Sequence, residues 1–296
     1  MEDILGSYQM KRNRFLLIAI CIVCLISGYS CKHIKQTDNN ALGFDTLLVN
    51  KVYHQSNDES QPACNLQITF VYPKAEEEEK SSRNLQSLFI EKTFGESYST
   101  LSPKEALKVF TSLYVNEFDN FIREDDPDNH DDLDEFGIES EEMGEYLYYL
   151  ILKDSIVYNK NNFLSFLVEK HIYEGGAHGS SSLYGYVVNL GTGKPINEDS
   201  FAGINYSKNL SALMAQKLAE ENGLSDPQEL ENIGYININD IAPNNNFTLN
   251  EKGITYYFNE YEIGAYFLGV TKIFIPYEEL NLYISKENPI SSIIGL

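Results

Sequence analysis

The residues able to do chemistry gather in a few places. Between positions 173 and 182 the chain reads Tyr-Glu-Gly-Gly-Ala-His-Gly-Ser-Ser-Ser. Gly175 and Gly176 remove two Cβ atoms where the backbone must turn or approach a neighbour, and His178 projects from that turn beside Gly179. His178 has two readings: a ligand-facing donor or acceptor, or a hydrogen-bonded turn residue holding two strands, the commoner role for such a histidine. Ser180, Ser181 and Ser182 follow, but no G-x-S-x-G elbow surrounds them, and a serine beside a histidine in sequence seldom has the geometry a base needs. A second concentration runs from Tyr256 to Tyr266, where Tyr256, Tyr257, Phe258, Tyr261 and Tyr266 surround Glu262. Tyrosine supplies rigid, amphipathic area suited to sugar or protein surfaces, and core and rim packing at a sheet edge gives the same pattern. Glu262 is then a candidate partner for a nearby loop or for His178.

Metal chemistry finds little support. His171 lies seven residues before His178, and no other His or Cys falls at zinc-site spacing. The acidic run from Asp125 to Asp132 invites a calcium reading. Counted from Asp132, however, Phe136 takes the fifth position of an EF-hand loop and Met143 the twelfth, where a Glu is required. A solvated loop explains the run better. No cofactor is implied, nor is a metal, and nothing singles out a carboxylate pair for glycoside hydrolysis.

Cys31 is the remaining chemical candidate. Lys11, Arg12 and Arg14 precede an apolar run of 12 residues, Phe15 to Ile26, and then Ser-Gly-Tyr-Ser-Cys. A membrane span needs about 20 residues, so residues 1–30 read as a signal peptide. Small residues before Cys31 form a relaxed lipobox, in which the thiol is acylated and the cysteine becomes the first residue. Residues 31–43 are then the lipidated Cys and a polar tether. The expectation is an exported protein of the cell envelope, held to the membrane by lipid. Met10 also begins a conventional signal sequence. Cys21 and Cys24 lie in the apolar run, so Cys64 is left without a partner and the fold must hold by its core.

Charge narrows the partners. The chain carries 44 acidic and 22 basic residues, net −22. Losing residues 1–30 removes Lys11, Arg12, Arg14, Glu2 and Asp3, leaving 42 acidic against 19 basic side chains, net −23. That field repels nucleic acid and anionic lipid and attracts basic proteins or cations.

The elements that must position these residues follow from periodicity. Thr46–Tyr53 and Leu66–Tyr72 read as strands joined by a polar hairpin loop. Leu85, Leu88 and Phe89 mark a helix that Gly95 stops. Ser102-Pro103-Lys104-Glu105 is a capping box, after which Leu107, Phe110, Tyr114, Phe118 and Phe121 form one apolar stripe. Residues 123–145 hold 12 acidic residues against one basic, an exposed insertion. Tyr146–Ile156, Phe163–Tyr173 and Leu183–Leu190 read as strands, Asn205–Asn222 as an amphipathic helix, Asp226-Pro227 as the opening of a short one, and Ile254–Phe258 and Lys272–Ile275 as further strands before a polar C-terminal stretch. Grouped elements give an α+β class with a largely antiparallel sheet, packed helices and two consecutive subdomains: an N-terminal domain over 44–158 and a C-terminal domain over 159–296.

Taken together, the GGAHG segment with Val187–Lys194 and the stretch from Tyr256 through Tyr266, Gly269 and Ile275-Pro276-Tyr277-Glu278-Glu279-Leu280 resemble the RsiV-like C-terminal domain family, named for a lysozyme-sensing anti-sigma factor. The resemblance covers roughly Lys160 to Leu282, and the part before it is similar to a smaller domain also found beside polysaccharide deacetylases. The chain departs from the family pattern at Gly264, where Ala is common, and at Phe267-Leu268, where small residues are usual. The resemblance implies an extracytoplasmic, non-enzymatic binding domain for lysozyme-type muramidases or peptidoglycan, with His178, Gly175, Gly176, Tyr261, Glu262 and Tyr266 as candidate binding residues. An enzyme acting on cell-wall glycan and a structural envelope component are the alternatives.

Overall fold

A computed structural model describes residues 42–54, 63–74, 80–124, 147–175, 177–203, 206–236, 238–285 and 288–294. The signal-peptide segment, Cys31, residues 125–145 of the acidic insertion and Gly176 lie outside the described residues, while Arg123 and Glu124 of the expected insertion are the last residues of a helix. Residues from Asn40 to Leu296 form one compact unit that contains every core residue named below.

Two strands, β1 (Phe44–His54) and β2 (Ala63–Pro73), pair antiparallel. Two helices follow, α1 (Lys80–Phe94) and α2 (Pro103–Glu124). The capping box forms as the sequence predicts: Ser102 N–H and Oγ–H donate to Glu105 Oε2 at 3.1 and 2.6 Å, and Glu105 N–H donates back to Ser102 Oγ at 3.4 Å. The helical crossover returns the chain parallel to β2 as β3 (Leu147–Lys160). Then β4 (Phe163–Tyr173), β5 (Ser180–Asn189) and the short β6 (Lys194–Pro195) add antiparallel, giving one six-stranded sheet in chain order. The class is α+β with a mostly antiparallel sheet, as the sequence indicated.

Strand alternation sorts side chains onto the two faces of this sheet. Leu164, Phe166 and Val168 on β4 join Leu66, Ile68 and Phe70 on β2 and Leu150 and Leu152 on β3 against Phe89, Ile90, Phe94, Leu107, Tyr114 and Phe118 from the helices. Phe89 stacks on Phe166 with centroids 4.0 Å apart. Cys64 lies in this core as a free thiol, which burial pushes up to about 12. The other face is covered at its far end by a second core. There Tyr158, Phe163 and Val187 meet helix α3 (Tyr206–Glu221) and a three-stranded sheet of β7 (Phe247–Leu249), β8 (Gly253–Phe258) and β9 (Thr271–Pro276). Leu249 N–H donates to buried Ser165 Oγ at 3.1 Å, tying the two sheets together.

Three differences from expectation have physical reasons. The boundary expected at 158/159 falls beside the turn at Asn161 and Asn162, between two strands hydrogen-bonded along their length, so the six-stranded sheet runs across it and the two cores share its strands. β7 is only three residues long, too short for an alternation signal. The C-terminal stretch expected to be polar contributes Leu280, Ile284 and Ile290 to the second core, in part through the short helices α4 (Tyr277–Leu280) and α5 (Ser291–Ile294) and a bridge between Ala202 and Ile284.

Candidate functional site

The 174–179 loop joins β4 to β5, and the 259–270 loop joins β8 to β9. They are distant in sequence and meet in space. His178 stacks on Tyr266 with ring centroids 3.8 Å apart and planes 26° apart, and Tyr266 stacks in turn on Tyr261 at 5.7 Å. Tyr266 Oη–H donates to the Gly179 carbonyl at 2.7 Å. His178 Nδ1 sits 2.9 Å from the same carbonyl, which can only accept, so Nδ1 carries the proton. Nε2 is then left to accept from Tyr261 Oη–H at 3.4 Å. The result is a three-ring ledge on the surface, with His178 exposed and Tyr261 60% exposed.

Local backbone explains why these residue types stand where they do. A Cβ on Gly179 would lie 2.6 Å from Tyr149 Oη and 2.9 Å from the Ile172 carbonyl, so only glycine lets the loop close down on β3 and β4. Gly175 sits at φ +85°, with Phe121 of α2 beneath it. Tyr261 occupies the left-handed region at φ +67°, unusual for an aromatic residue, and this turn aims its ring at Tyr266. The far side of the 259–270 loop is pinned to the 234–236 segment by the Tyr235–Gly264 bridge and by Ala265 N–H donating to the Gly234 carbonyl at 2.9 Å. The two departures from the family pattern are coupled here: a Cβ at position 264 would lie 2.6 Å from Leu268 Cδ1, so the smaller Gly264 makes room for the larger Leu268.

The ledge stands beside an open cleft of ≈ 380 Å³ along β5, which Lys170, Ser180, Ser182, Asn259, Glu260, Tyr261 and Glu262 help to line. A neighbouring hollow of ≈ 320 Å³ continues past Tyr184 to Asn244, Asn245, Asn246 and Glu262. Between them the outer edge of β5 is satisfied by side chains. Asn259 Oδ1 accepts from Leu183 N–H at 2.8 Å and Asn246 Oδ1 from Gly185 N–H at 2.7 Å, while Asn246 Nδ2 donates to the Leu183 carbonyl at 2.8 Å. These asparagines do the work of a missing strand and fix the site loops to the sheet.

Among the candidates, His178, Tyr261 and Tyr266 come together, with Gly175 at the base of their loop. Glu262 does not reach His178: it accepts from Asn259 Nδ2 at 3.4 Å and faces the cleft, because the left-handed turn at Tyr261 carries it away from the ring stack. Of the aromatic run, Tyr256, Tyr257 and Phe258 are buried on β8 and only the loop members reach the site. Tyr256 hydrogen-bonds Tyr206 there at 2.6 Å, and burial pushes its hydroxyl pKa well up. The structure also shows a line that sequence reading missed. Ser181 Oγ is 2.8 Å from His171 Nδ1, and His171 Nε2 is 2.8 Å from Glu169 Oε1. His171 and Ser181 are opposite one another in the β4–β5 register, so the signal was available only once that register was known. Ser181 lines the cleft while His171 and Glu169 do not, so the line runs from the cleft across β5 and β4 and links the two strands below the 174–179 loop. Among the described residues, no group of three or more His, Cys, Asp or Glu is placed to hold a metal.

Comparison with known proteins places this geometry in a lineage. A model described as Deacetylase PdaC matches residues 59–181, and the model of DUF3298, described as a protein of unknown function, matches residues 198–278. A solved member of the DUF3298 family from Bacteroides fragilis is 31% identical, covers 87% of this chain and 98% of its own, and superimposes with a TM-score of 0.74. The chain belongs to the DUF3298 family. A DUF3298 family protein from Pseudomonas aeruginosa, at 12% identity and a TM-score of 0.56 over 83% of this chain and 95% of its own, shares the fold. No curated protein matches significantly. The DUF3298 match contains Tyr261, Glu262 and Tyr266, whereas Gly175 and His178 lie in the PdaC-type match. The ring ledge is therefore built where the two matched regions meet.

Proposed function

We propose that this DUF3298 protein is an exported envelope lipoprotein, anchored through Cys31, whose ring ledge binds an extracellular macromolecule without transforming it, and that a basic lysozyme-type muramidase is the partner. The observation that carries this reading is the exposed His178–Tyr266–Tyr261 stack, assembled from two loops that Tyr266 bonds to one another and that Asn259 ties to β5. Preorganised aromatic groups give contact area at small entropic cost. The carboxylates of Glu260 and Glu262 beside them, on a chain of net charge −22, suit a cationic protein. The resemblance to the lysozyme-sensing family supports the same partner.

The test is calorimetric titration of residues 32–296 with a basic lysozyme at physiological salt, repeated with the lysozyme cleft filled by a chitin oligomer. Micromolar or tighter binding that the oligomer abolishes, and that His178→Ala together with Tyr261→Ala weakens, supports the reading. Absence of heat and of a complex sinks it. Peptidoglycan itself is a second ligand that suits an aromatic ledge beside an amide- and carboxylate-lined cleft. The same cleft motivates an enzymatic alternative on cell-wall glycan: hydrolysis leaves new reducing ends whatever the salt, while electrostatic capture weakens as ionic strength rises.

A further inference from the structure

A cavity of ≈ 510 Å³ lies at the opposite edge of the six-stranded sheet, between β1 and the first half of α2. Leu47, Val49 and Leu107, all packed against the helix-side core, give it an apolar floor. Lys51, Lys104 and Lys108 stand around it, all exposed, and among the described residues no acidic one lines it. That is unexpected in a chain with twice as many acidic as basic residues. Among the described residues none of the three lysines makes an ion pair. Nearby carboxylates are engaged elsewhere, Asp45 with Lys74 at 3.2 Å and Glu105 with Ser102.

We infer that the groove between β1 and α2 is a binding site for a small amphiphilic anion, a phosphate or carboxylate head on an apolar body, with the head held by Lys51, Lys104 and Lys108. The volume is that of a small-molecule site. Three ammonium groups around a groove that no carboxylate among the described residues lines select for negative charge, and the Leu47–Val49–Leu107 floor selects for hydrocarbon over a free inorganic ion. This site is independent of the ring ledge and does not rest on the proposed muramidase partner.

The test uses residues 32–296, which hold the whole compact unit, and monomeric n-octyl phosphate as probe, with n-octyl glucoside as a neutral probe of equal chain length. Octyl phosphate is expected to bind saturably and with salt dependence. The Lys51→Ala/Lys104→Ala/Lys108→Ala variant should lose about tenfold or more in affinity. Sedimentation with phosphatidylglycerol vesicles against phosphatidylcholine vesicles separates the sources. Lysine-dependent capture of the anionic vesicles assigns the head to a bilayer lipid, and lysine-dependent binding of monomeric probe alone assigns it to a soluble amphiphile. Equal affinity for phosphate and glucoside, or binding that the triple variant leaves unchanged, overturns the proposal.

Discussion

The two edges of the six-stranded sheet are finished in opposite ways. At the β5 edge, Asn246 and Asn259 reach from separate loops and occupy the backbone groups of Leu183 and Gly185. At the other edge, among the described residues, β1 pairs only with β2, with Leu48 72% and Val52 55% exposed. Closing an edge with side chains costs little sheet area and immobilises the loops that supply them. An edge without such partners remains a surface on which something else can pair or dock. The ring ledge therefore sits on the rigid edge, and the lysine groove on the free one.

The comparison breaks most severely at Gly185. A Cβ there would lie 2.5 Å from the Phe247 carbonyl, so Gly185→Val must force β5 from β7 and should cost about 3 kcal/mol or more. A urea midpoint within error of the wild type would refute the close approach. Asn246→Ala comes next. It leaves the backbone groups of Gly185 and Leu183 without their side-chain partner, at about 1 kcal/mol each, while the Tyr257 carbonyl keeps Asn244 Nδ2 at 2.8 Å. Midway between the edges, on β3, Asp154 is 1% exposed and burial raises its pKa well above the usual carboxylate range, with Thr93 Oγ1 donating to it at 2.8 Å. The folded state binds this proton more tightly than the unfolded chain. Its contribution is therefore fully present below the ordinary Asp range near pH 4 and is lost as pH rises through the folded pKa. Asp154→Asn should remove that loss and raise the melting temperature at neutral pH, whereas a lowered melting temperature there would count against a neutral carboxyl. Asn259→Ala should cost about 1 kcal/mol and weaken macromolecular binding by loosening the Tyr261 turn. Smallest of all, Leu48→Lys on the free edge should shift stability by less than about 0.5 kcal/mol; a large shift would mean that β1 is not an open edge.

Much of the fold was legible because the signals were local. The Ser102–Glu105 box, the stripe from Leu107 to Phe118 and the strand from Phe163 to Tyr173 each declare themselves within a few residues. β7 was not legible, since three residues carry no period, and Ile284 and Ile290 are isolated apolar positions whose burial depends on α3 and β9. For the site, residue types marked both loops, and the structure brings them into contact. The partners within it were not legible. Glu262 looked like the mate of His178 by proximity to the aromatic run, yet a single positive φ at Tyr261 sends the two neighbours to different sides. The Ser181–His171 pair and the two edge asparagines depend on strand register and loop return, which no spacing rule encodes.

The placement of Leu280, Ile284 and Ile290 in the second core also bears on the order in which the two cores can form. Among the described residues the helix-side core draws on none beyond Leu190, so it can assemble before the later segments have packed. The second core lacks a wall until the segment carrying Leu280, Ile284 and Ile290 has folded back onto it. The ring ledge takes two of its rings from a loop held against that core, and so it is completed after the helix-side core.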